Sequence, residues 1–157
     1  MDGVLTDGSL HYTSAGEEVK AFDIQDGLGI KLLQDGGVAV AIITGRRSPM
    51  VERRALELGI AHVVQGTEDK LAAFEHLLAE TGLPPESVAC MGDDLPDVPL
   101  LRRCALAATV PDAPETVKAN AHLVTQRRGG RGAVREVCEM ILAAQDKLDR
   151  ALERYLR

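Results

Sequence analysis

The 157-residue sequence has no tryptophan and few aromatic residues, which make up only 3% of the chain. Such a composition disfavours an aromatic surface on which single-stranded nucleic acid could stack. The formal net charge of -6 also disfavours a protein that binds a phosphate backbone, although arginines cluster locally near the C-terminus. We therefore expect no nucleic-acid partner.

Long apolar runs and paired cysteines are also missing. No run approaches the roughly 20 residues of a membrane span, and an acidic turn stands where a secretory signal would need an apolar stretch. The cysteines, Cys90, Cys104 and Cys138, are odd in number and show no CxxC spacing. This pattern predicts buried free thiols in a reducing compartment and disfavours a zinc site. We expect a soluble cytoplasmic protein with no membrane partner.

The length is that of one domain, and residues 1–157 are expected to form it. Residues 9–22 alternate in polarity around the turn at 14–16, which predicts a β-hairpin. From Gly36 onward, apolar runs alternate with amphipathic segments, and the run 38–43 (VAVAII) is continuous, as in a parallel strand covered on both faces. The alternation predicts an α/β fold, a doubly wound (Rossmann-like) parallel sheet with helices on both faces.

The spacing of apolar residues places the other elements. Asp26 is expected to be the N-cap of the first helix. Further strands are predicted at 62–64, 88–91, 106–109 and 122–124, and further helices at 48–58, 68–80, 94–102, 115–119 and 133–155. The C-terminal segment 126–156 is thus expected to be a basic glycine-rich loop followed by one long helix.

Three carboxylates crowd the segment 92–97 (GDDLPD), directly after an apolar strand. Like charges at this spacing repel one another, and a hard divalent cation is the usual remedy. A helix cap at Asp94 and a favourable helix dipole at Asp97 would explain each carboxylate separately. For three carboxylates behind a glycine, a metal site is the favoured interpretation.

Two more segments follow predicted strands. In Thr44-Gly45-Arg46, a hydroxyl and adjacent backbone N–H groups at a strand-to-helix turn suit a phosphate oxygen. Taken alone, a turn with an N-cap threonine is the better explanation of this segment. Lys70 lies near a helix start, where a lysine is usually solvated, yet a cation at that sheet edge would stabilise a transferring phosphoryl group.

The order of these segments resembles that of a known superfamily. DGVLTDG, IITGR, a lysine and GDDLPD follow one another like the four motifs of the haloacid dehalogenase superfamily of aspartate-dependent phosphatases. The hairpin at 9–22, the DGLGI turn and the tail GGRGAVREVC resemble more closely the 3-deoxy-D-manno-octulosonate 8-phosphate phosphatases, a family without a cap domain. The resemblance covers essentially the whole chain. It implies a phosphoric monoester hydrolase of lipopolysaccharide biosynthesis that works through an aspartyl-phosphate.

The resemblance also implies roles in catalysis. Asp2 would protonate the leaving alcohol and later activate water, and its backbone carbonyl would bind Mg²⁺. Asp93 would be the other principal Mg²⁺ ligand, with Asp94 and Asp97 in close support. Thr44 and Lys70 would bind the phosphoryl group and offset its developing charge.

Substrate and partners are implied in the same way. The residues expected to contact the substrate are Thr44, Gly45, Arg46, Lys70 and Arg131. Arg46 would meet the sugar-acid carboxylate, which suits the bidentate geometry of arginine. In this family the tail reaches toward the active site of a neighbouring subunit and the hairpin helps to assemble a tetramer. The expected partners are therefore a small anionic phosphorylated sugar acid and a homotetramer.

The first motif departs from the family pattern Asp-x-Asp, because the sequence begins at x with Met1. Either Met1 is an internal residue of a longer protein, or the chain is natural as written and serves as a catalytically inactive tetramerisation or binding domain. The intact later motifs favour the first explanation. As written, the chain is not expected to hydrolyse phosphate esters by the family mechanism. A nonulosonate 9-phosphate phosphatase is the enzymatic alternative.

Overall fold

The computed structural model describes residues 1–157 and contains a β-hairpin, five short parallel strands and seven α-helices. The strands are β1 (His11–Tyr12), β2 (Glu18–Val19), β3 (Ala41–Thr44), β4 (His62–Gln65), β5 (Ala89–Met91), β6 (Leu106–Thr109) and β7 (Leu123–Val124). The helices are α1 (Ile24–Asp35), α2 (Pro49–Leu58), α3 (Lys70–Thr81), α4 (Val98–Leu101), α5 (Glu115–Lys118), α6 (Ala133–Ala144) and α7 (Leu148–Leu152). Short 3₁₀ turns lie at Pro85–Ser87, Leu95–Asp97 and Glu153–Tyr155.

The parallel strands form two sheets. In the first sheet β3 pairs with β4, with Ala41 opposite His62 and Thr44 opposite Gln65. In the second sheet β6 lies between β5 and β7, and this sheet is not hydrogen-bonded to the first. Helices connect the successive strands, and this confirms the predicted α/β class. β3 is shorter than the apolar run 38–43, because only its last residues face a partner strand.

The hairpin is confirmed at its predicted place, with shorter arms than expected. His11 pairs with Val19 and Tyr12 pairs with Glu18. Gly16 has a φ of +82°, a conformation that glycine adopts without strain.

The first helix begins earlier than predicted, and the prediction that Asp26 caps it is wrong. The N-cap is Asp23, whose carboxylate accepts a hydrogen bond from the Gln25 N–H at 2.6 Å. Asp26 lies within the first turn and is buried. Its carboxylate accepts hydrogen bonds from the N–H groups of Gly132 and Arg135, at the start of α6. Asp26 therefore caps a different helix, more than 100 positions along the chain.

The single long C-terminal helix that was predicted is divided in two. α6 ends at Ala144, and Asp146 has a left-handed φ of 55°, which the right-handed helix cannot continue through. The backbone and side-chain nitrogens of Lys147 then bond to the carbonyls of Leu142 and Gly36. The helix predicted at 94–102 likewise becomes a 3₁₀ turn and the short α4.

Two apolar clusters form the core. The first joins Met1, Val4 and Leu5 to the buried faces of α1, α2 and α6. The second surrounds Phe74 and Val117, beneath β6. None of the helices is both long enough and apolar enough to cross a lipid bilayer.

Candidate active site

The carboxyl ends of the parallel strands bring the predicted segments together. Thr44 is the last residue of β3, and Gly92 follows the last residue of β5. Thr109, at the end of β6, donates a hydrogen bond to the Gly92 carbonyl at 2.7 Å. In open α/β folds, this edge of the sheet is where ligands bind.

Asp97 organises the segment that contains three aspartates. One of its carboxylate oxygens accepts hydrogen bonds from the N–H groups of Asp93 and Asp94, at 3.0 and 3.3 Å, and the other accepts one from Lys70. Burial alone would raise the pKa of Asp97, but these bonds and the charge of Lys70 outweigh it and hold the pKa below its usual value. A side chain at Gly92 would collide with Asp97, so the glycine permits this close packing.

Asp94 caps the 3₁₀ turn by accepting a hydrogen bond from the Leu95 N–H at 2.8 Å, as the simpler interpretation of the sequence proposed. Its carboxylate is exposed, and a direct role as a metal ligand stays a prediction.

Asp93 differs from its two neighbours, because its carboxylate accepts no hydrogen bond from the protein. It is half-buried and packs against Gly3, where a side chain would overlap its Oδ2. Burial, with repulsion from Asp97, raises the pKa of Asp93 to about 6, although the Met1 and Lys70 ammonium groups act in the opposite direction. Two free acceptor oxygens in such a place fit a hard divalent cation. No group of three His, Cys, Asp or Glu side chains is arranged around one point, so backbone carbonyls and water would complete the coordination.

Thr44 ends β3, and Lys70 follows β4, the strand paired with it. Thr44 is buried, and its hydroxyl oxygen accepts the Arg46 N–H at 3.4 Å, which leaves the hydroxyl proton free to donate. Gly45 passes close to the carbonyl of Thr67. Lys70 begins α3 and bonds to Asp97 at 2.5 Å, which leaves two ammonium protons for a ligand.

Asp2 and Arg46 meet the hairpin in a cluster of charges that the sequence did not reveal. Lys20 donates a hydrogen bond to Asp2 at 2.7 Å and forms an ion pair with Glu18 at 3.1 Å. Arg46 lies 3.4 Å from Glu18 and 3.9 Å from Asp2, and it also contacts the hydroxyl of Tyr12. The alternating polarity of the hairpin did not indicate that the Lys20 side chain would be shielded from solvent. The shielding arises because the hairpin folds over Asp2.

A cavity of about 370 Å³ opens beside Asp93 and Gly3. Arg131 and Arg128, two of the tail arginines that the sequence proposed for an anionic substrate, line it together with residues that were not singled out: Asp7, Ser9 and Asp112. Arg128 pairs with Asp112 at 3.3 Å. The cavity thus carries both positive and negative groups.

The glycine-rich loop of the tail packs against the first turn of its own chain. The Gly130 N–H donates to the Val4 carbonyl at 2.9 Å. A side chain at Gly129 would overlap the carbonyl of Gly3. The loop therefore forms a wall of the cavity in the same chain, and its reach toward a neighbouring subunit stays a prediction.

Comparison with known proteins relates this chain to a group of phosphatases. Residues 58–136 match the model of a family described as haloacid dehalogenase-like hydrolase. The 3-deoxy-D-manno-octulosonate 8-phosphate phosphatase of Yersinia pestis is 50% identical over 151 residues, which are 96% of this chain and 81% of that protein. The enzyme of the same name from Escherichia coli K12 is 48% identical, over 96% of this chain and 80% of its own.

Comparison with a solved structure shows that the fold is similar to that of these phosphatases as well. The 3-deoxy-D-manno-octulosonate 8-phosphate phosphatase of Moraxella catarrhalis, in complex with a magnesium ion, a phosphate ion and KDO, superimposes with a TM-score of 0.96. It is 47% identical, over 98% of this chain and 88% of its own. With this identity along nearly its whole length, and with aspartates, threonine and lysine at or near the carboxyl ends of the parallel strands, the chain belongs to the 3-deoxy-D-manno-octulosonate 8-phosphate phosphatase family of haloacid dehalogenase-like hydrolases.

Proposed function

We propose that this chain forms the active-site domain of a Mg²⁺-dependent phosphatase that hydrolyses 3-deoxy-D-manno-octulosonate 8-phosphate to the free sugar acid and phosphate. The observation that carries the proposal is the 50% identity to such an enzyme over 96% of the chain. The position of Asp2, Thr44, Lys70 and Asp93 near the carboxyl ends of the parallel strands supports it, since open α/β folds bind their ligands there.

The phosphoryl group is held by Thr44, Gly45 and Lys70. The Thr44 hydroxyl proton and the backbone N–H groups of the turn donate to phosphoryl oxygens. Lys70, held by Asp97, directs its remaining ammonium protons at the negative charge that develops as the phosphoryl group transfers.

Asp2 moves the proton. In the first step its carboxylic acid gives a proton to the leaving sugar oxygen, and in the second its carboxylate takes one from the attacking water. The attacking carboxylate of the family mechanism belongs two positions before Asp2, which is outside the printed sequence. Arg46 and Arg131 bind the polar part of the sugar acid.

Asp93 and the backbone carbonyl of Asp2 are the groups that would hold Mg²⁺, with Asp94 beside them. The unbonded, half-buried carboxylate of Asp93 fits this role. When bound, the ion neutralises negative charge between the phosphoryl oxygens and the carboxylates.

The assembled protein is a homotetramer in the cytoplasm, built in part through the hairpin. Supporting observations are the exposed apolar side chains of Tyr12, Val19 and Ile24 on and beside the hairpin, and three free cysteines that suit a reducing compartment.

The experiment is phosphate release from 3-deoxy-D-manno-octulosonate 8-phosphate with Mg²⁺. It compares this chain with a chain extended upstream by an apolar strand that ends in Asp-x-Asp2. We expect turnover in the extended chain and none in the chain as printed. No turnover by either would overturn the proposal, and faster turnover of a nonulosonate 9-phosphate would reassign the substrate.

A further inference from the structure

Lys20 is one of the least exposed charged side chains near the site. It lies between β2 and α1, and only 2% of its side chain is accessible to solvent. An ammonium group so well covered is costly unless it is paired and hydrogen-bonded. Here it donates a hydrogen bond to Asp2 Oδ1 at 2.7 Å and forms an ion pair with Glu18 Oε1 at 3.1 Å.

The contacts of Asp2 distinguish its two oxygens. Oδ1 accepts the hydrogen bond from Lys20, whereas Oδ2 accepts no hydrogen bond and lies 3.9 Å from the Arg46 guanidinium. Arg46, whose place in the active site was predicted from the sequence, is in turn held by Tyr12 and Glu18 of the hairpin. The hairpin therefore fixes one oxygen of Asp2 and leaves the other without a hydrogen bond, beside Arg46.

We propose that Lys20 is a positioning residue for the reaction: by holding Oδ1, it fixes the Asp2 carboxylate so that Oδ2 faces the leaving oxygen of the phosphate ester. The inference rests on the proposed function of Asp2. It makes the hairpin part of the active site.

The proton balance follows from this arrangement. Lys20 keeps its proton throughout and serves only as a donor to Oδ1. In the first step the carboxylate two positions before Asp2 bonds to phosphorus, the ester P–O bond breaks with its electron pair on the leaving oxygen, and the proton on Asp2 Oδ2 passes to that oxygen. In the second step the water oxygen bonds to phosphorus, the aspartyl–phosphate P–O bond breaks, and Oδ2 takes a proton from the water, so Asp2 ends as it began.

The position of Lys20 has a consequence that a purely structural lysine would not have. An alkyl phosphate has a poor leaving group that needs the proton, whereas p-nitrophenolate leaves without one. Loss of correct positioning should therefore slow the alkyl ester selectively.

The kinetic test uses the upstream-extended chain with Lys20→Met, and compares a sugar-acid phosphate with p-nitrophenyl phosphate. We expect kcat for the sugar phosphate to fall about 10- to 100-fold, with KM little changed, because general acid catalysis and its alignment are worth at least that much. For p-nitrophenyl phosphate the fall should stay within about threefold, since no proton need be delivered. Lys20→Arg should recover part of the loss.

Two further variants serve as controls. Lys118→Met removes a lysine from a surface pair with Glu115 and should change neither rate. The double variant Lys20→Met/Glu18→Gln removes one charge of each sign, and it preserves folding if Lys20→Met alone proves too unstable. Equal losses for both substrates, or no loss for the sugar phosphate, would overturn the inference.

If the proposed function is wrong, the parent protein itself will not hydrolyse the sugar-acid phosphate. This outcome can be distinguished from failure of the inference about Lys20. A parent that rejects the sugar acid but hydrolyses other alkyl phosphates still reveals the contrast between leaving groups. If the parent hydrolyses no ester, crystal structures of this chain and of its Lys20→Met variant test whether Lys20 positions the Asp2 carboxylate. We expect the Asp2 carboxylate to move by about 1 Å or more, a displacement large enough to matter for catalysis, and an unmoved carboxylate would refute the positioning role.

Discussion

At the scale of single residues, three aspartates within five positions have three different environments. Asp97 is buried and bonded by Lys70 and by backbone N–H groups. Asp94 is exposed and caps a turn. Only Asp93 combines partial burial with unbonded oxygens. The sequence predicted the cluster of carboxylates. It could not show which aspartate is buried and bonded, which caps a turn and which has unbonded oxygens, because these roles depend on contacts with Lys70 and Gly3, which are distant in the sequence.

Asp93 should destabilise the fold when no metal is present. Its pKa in the folded protein is about 6, against about 3.9 in an unfolded chain. Because the folded pKa is the higher, the protonated form is the one that stabilises, and its contribution is lost as pH rises from about 4 through about 6. In EDTA, Asp93→Asn should therefore raise the free energy of unfolding at pH 7 by about 1–2 kcal/mol, after discounting for solvent screening.

Urea unfolding as a function of pH measures this effect, with Glu80→Gln on the exposed end of α3 as the control. Added Mg²⁺ should stabilise the parent chain and not the Asp93→Asn variant. An equal gain from Mg²⁺ in both proteins would show that Asp93 does not hold the ion.

Asp26 should contribute strongly to stability, because it caps α6 from within α1. Replacement by alanine leaves the N–H groups of Gly132 and Arg135 without their acceptor. Unsatisfied buried donors cost about 1–3 kcal/mol each, so Asp26→Ala should lose about 2–4 kcal/mol in urea unfolding. Asp23→Ala removes one exposed cap bond and should lose only about 1 kcal/mol. Similar losses in the two variants would contradict this assignment.

At the scale of elements, the tail loop and the first turn of the chain touch through their backbones. Gly130 has a φ of +65°, and a side chain there would lie 2.5 Å from the Asp7 nitrogen. Gly82 has a similar φ of +69° but open space around it. The two glycines therefore separate the cost of the backbone conformation from the cost of close packing.

Alanine at these two positions tests the role of the loop as a wall of the cavity. Gly82→Ala should cost about 1 kcal/mol of unfolding free energy, from the left-handed conformation alone. Gly130→Ala should cost about 1–3 kcal/mol more, because the added methyl group overpacks the contact with Asp7. In the upstream-extended chain it should also raise KM, since Arg128 and Arg131 would move. Equal losses of stability would show that the contact is not tight.

Local patterns predicted most elements, and the errors lie where distant contacts intervene. The hairpin and the successive strands and helices follow from alternation and from apolar runs. Asp26 was assigned to the wrong helix, because its acceptor role depends on α6. The break after Ala144 was missed, because nothing in the apolar stripe indicates the left-handed conformation of Asp146.

At the scale of the whole molecule, the order of motifs predicted the fold, and it predicts that the site lies at the carboxyl ends of the parallel strands. Thr44, Lys70 and Asp93 lie far apart in the sequence, and their juxtaposition follows from the parallel sense of the strands. Lys20 and the cavity residue Asp112 escaped prediction. Their surroundings are created by the hairpin folding over Asp2 and by the tail folding over the first turn.

If the protein assembles through the hairpin, a charged residue on the surface beside the hairpin should dissociate the tetramer. Ile24 is 82% exposed and follows in sequence the hairpin, where Tyr12 and Val19 are also exposed. Exposed apolar side chains that form one patch are typical of an interface between subunits. Leu56 on α2 is equally exposed, at 82%, and provides a matched control. Light scattering after size exclusion should give four times the chain mass of 16.8 kDa for the parent and for Leu56→Lys, and a smaller species for Ile24→Lys. Dissociation by both variants, or by neither, would show that the hairpin side is not the specific interface.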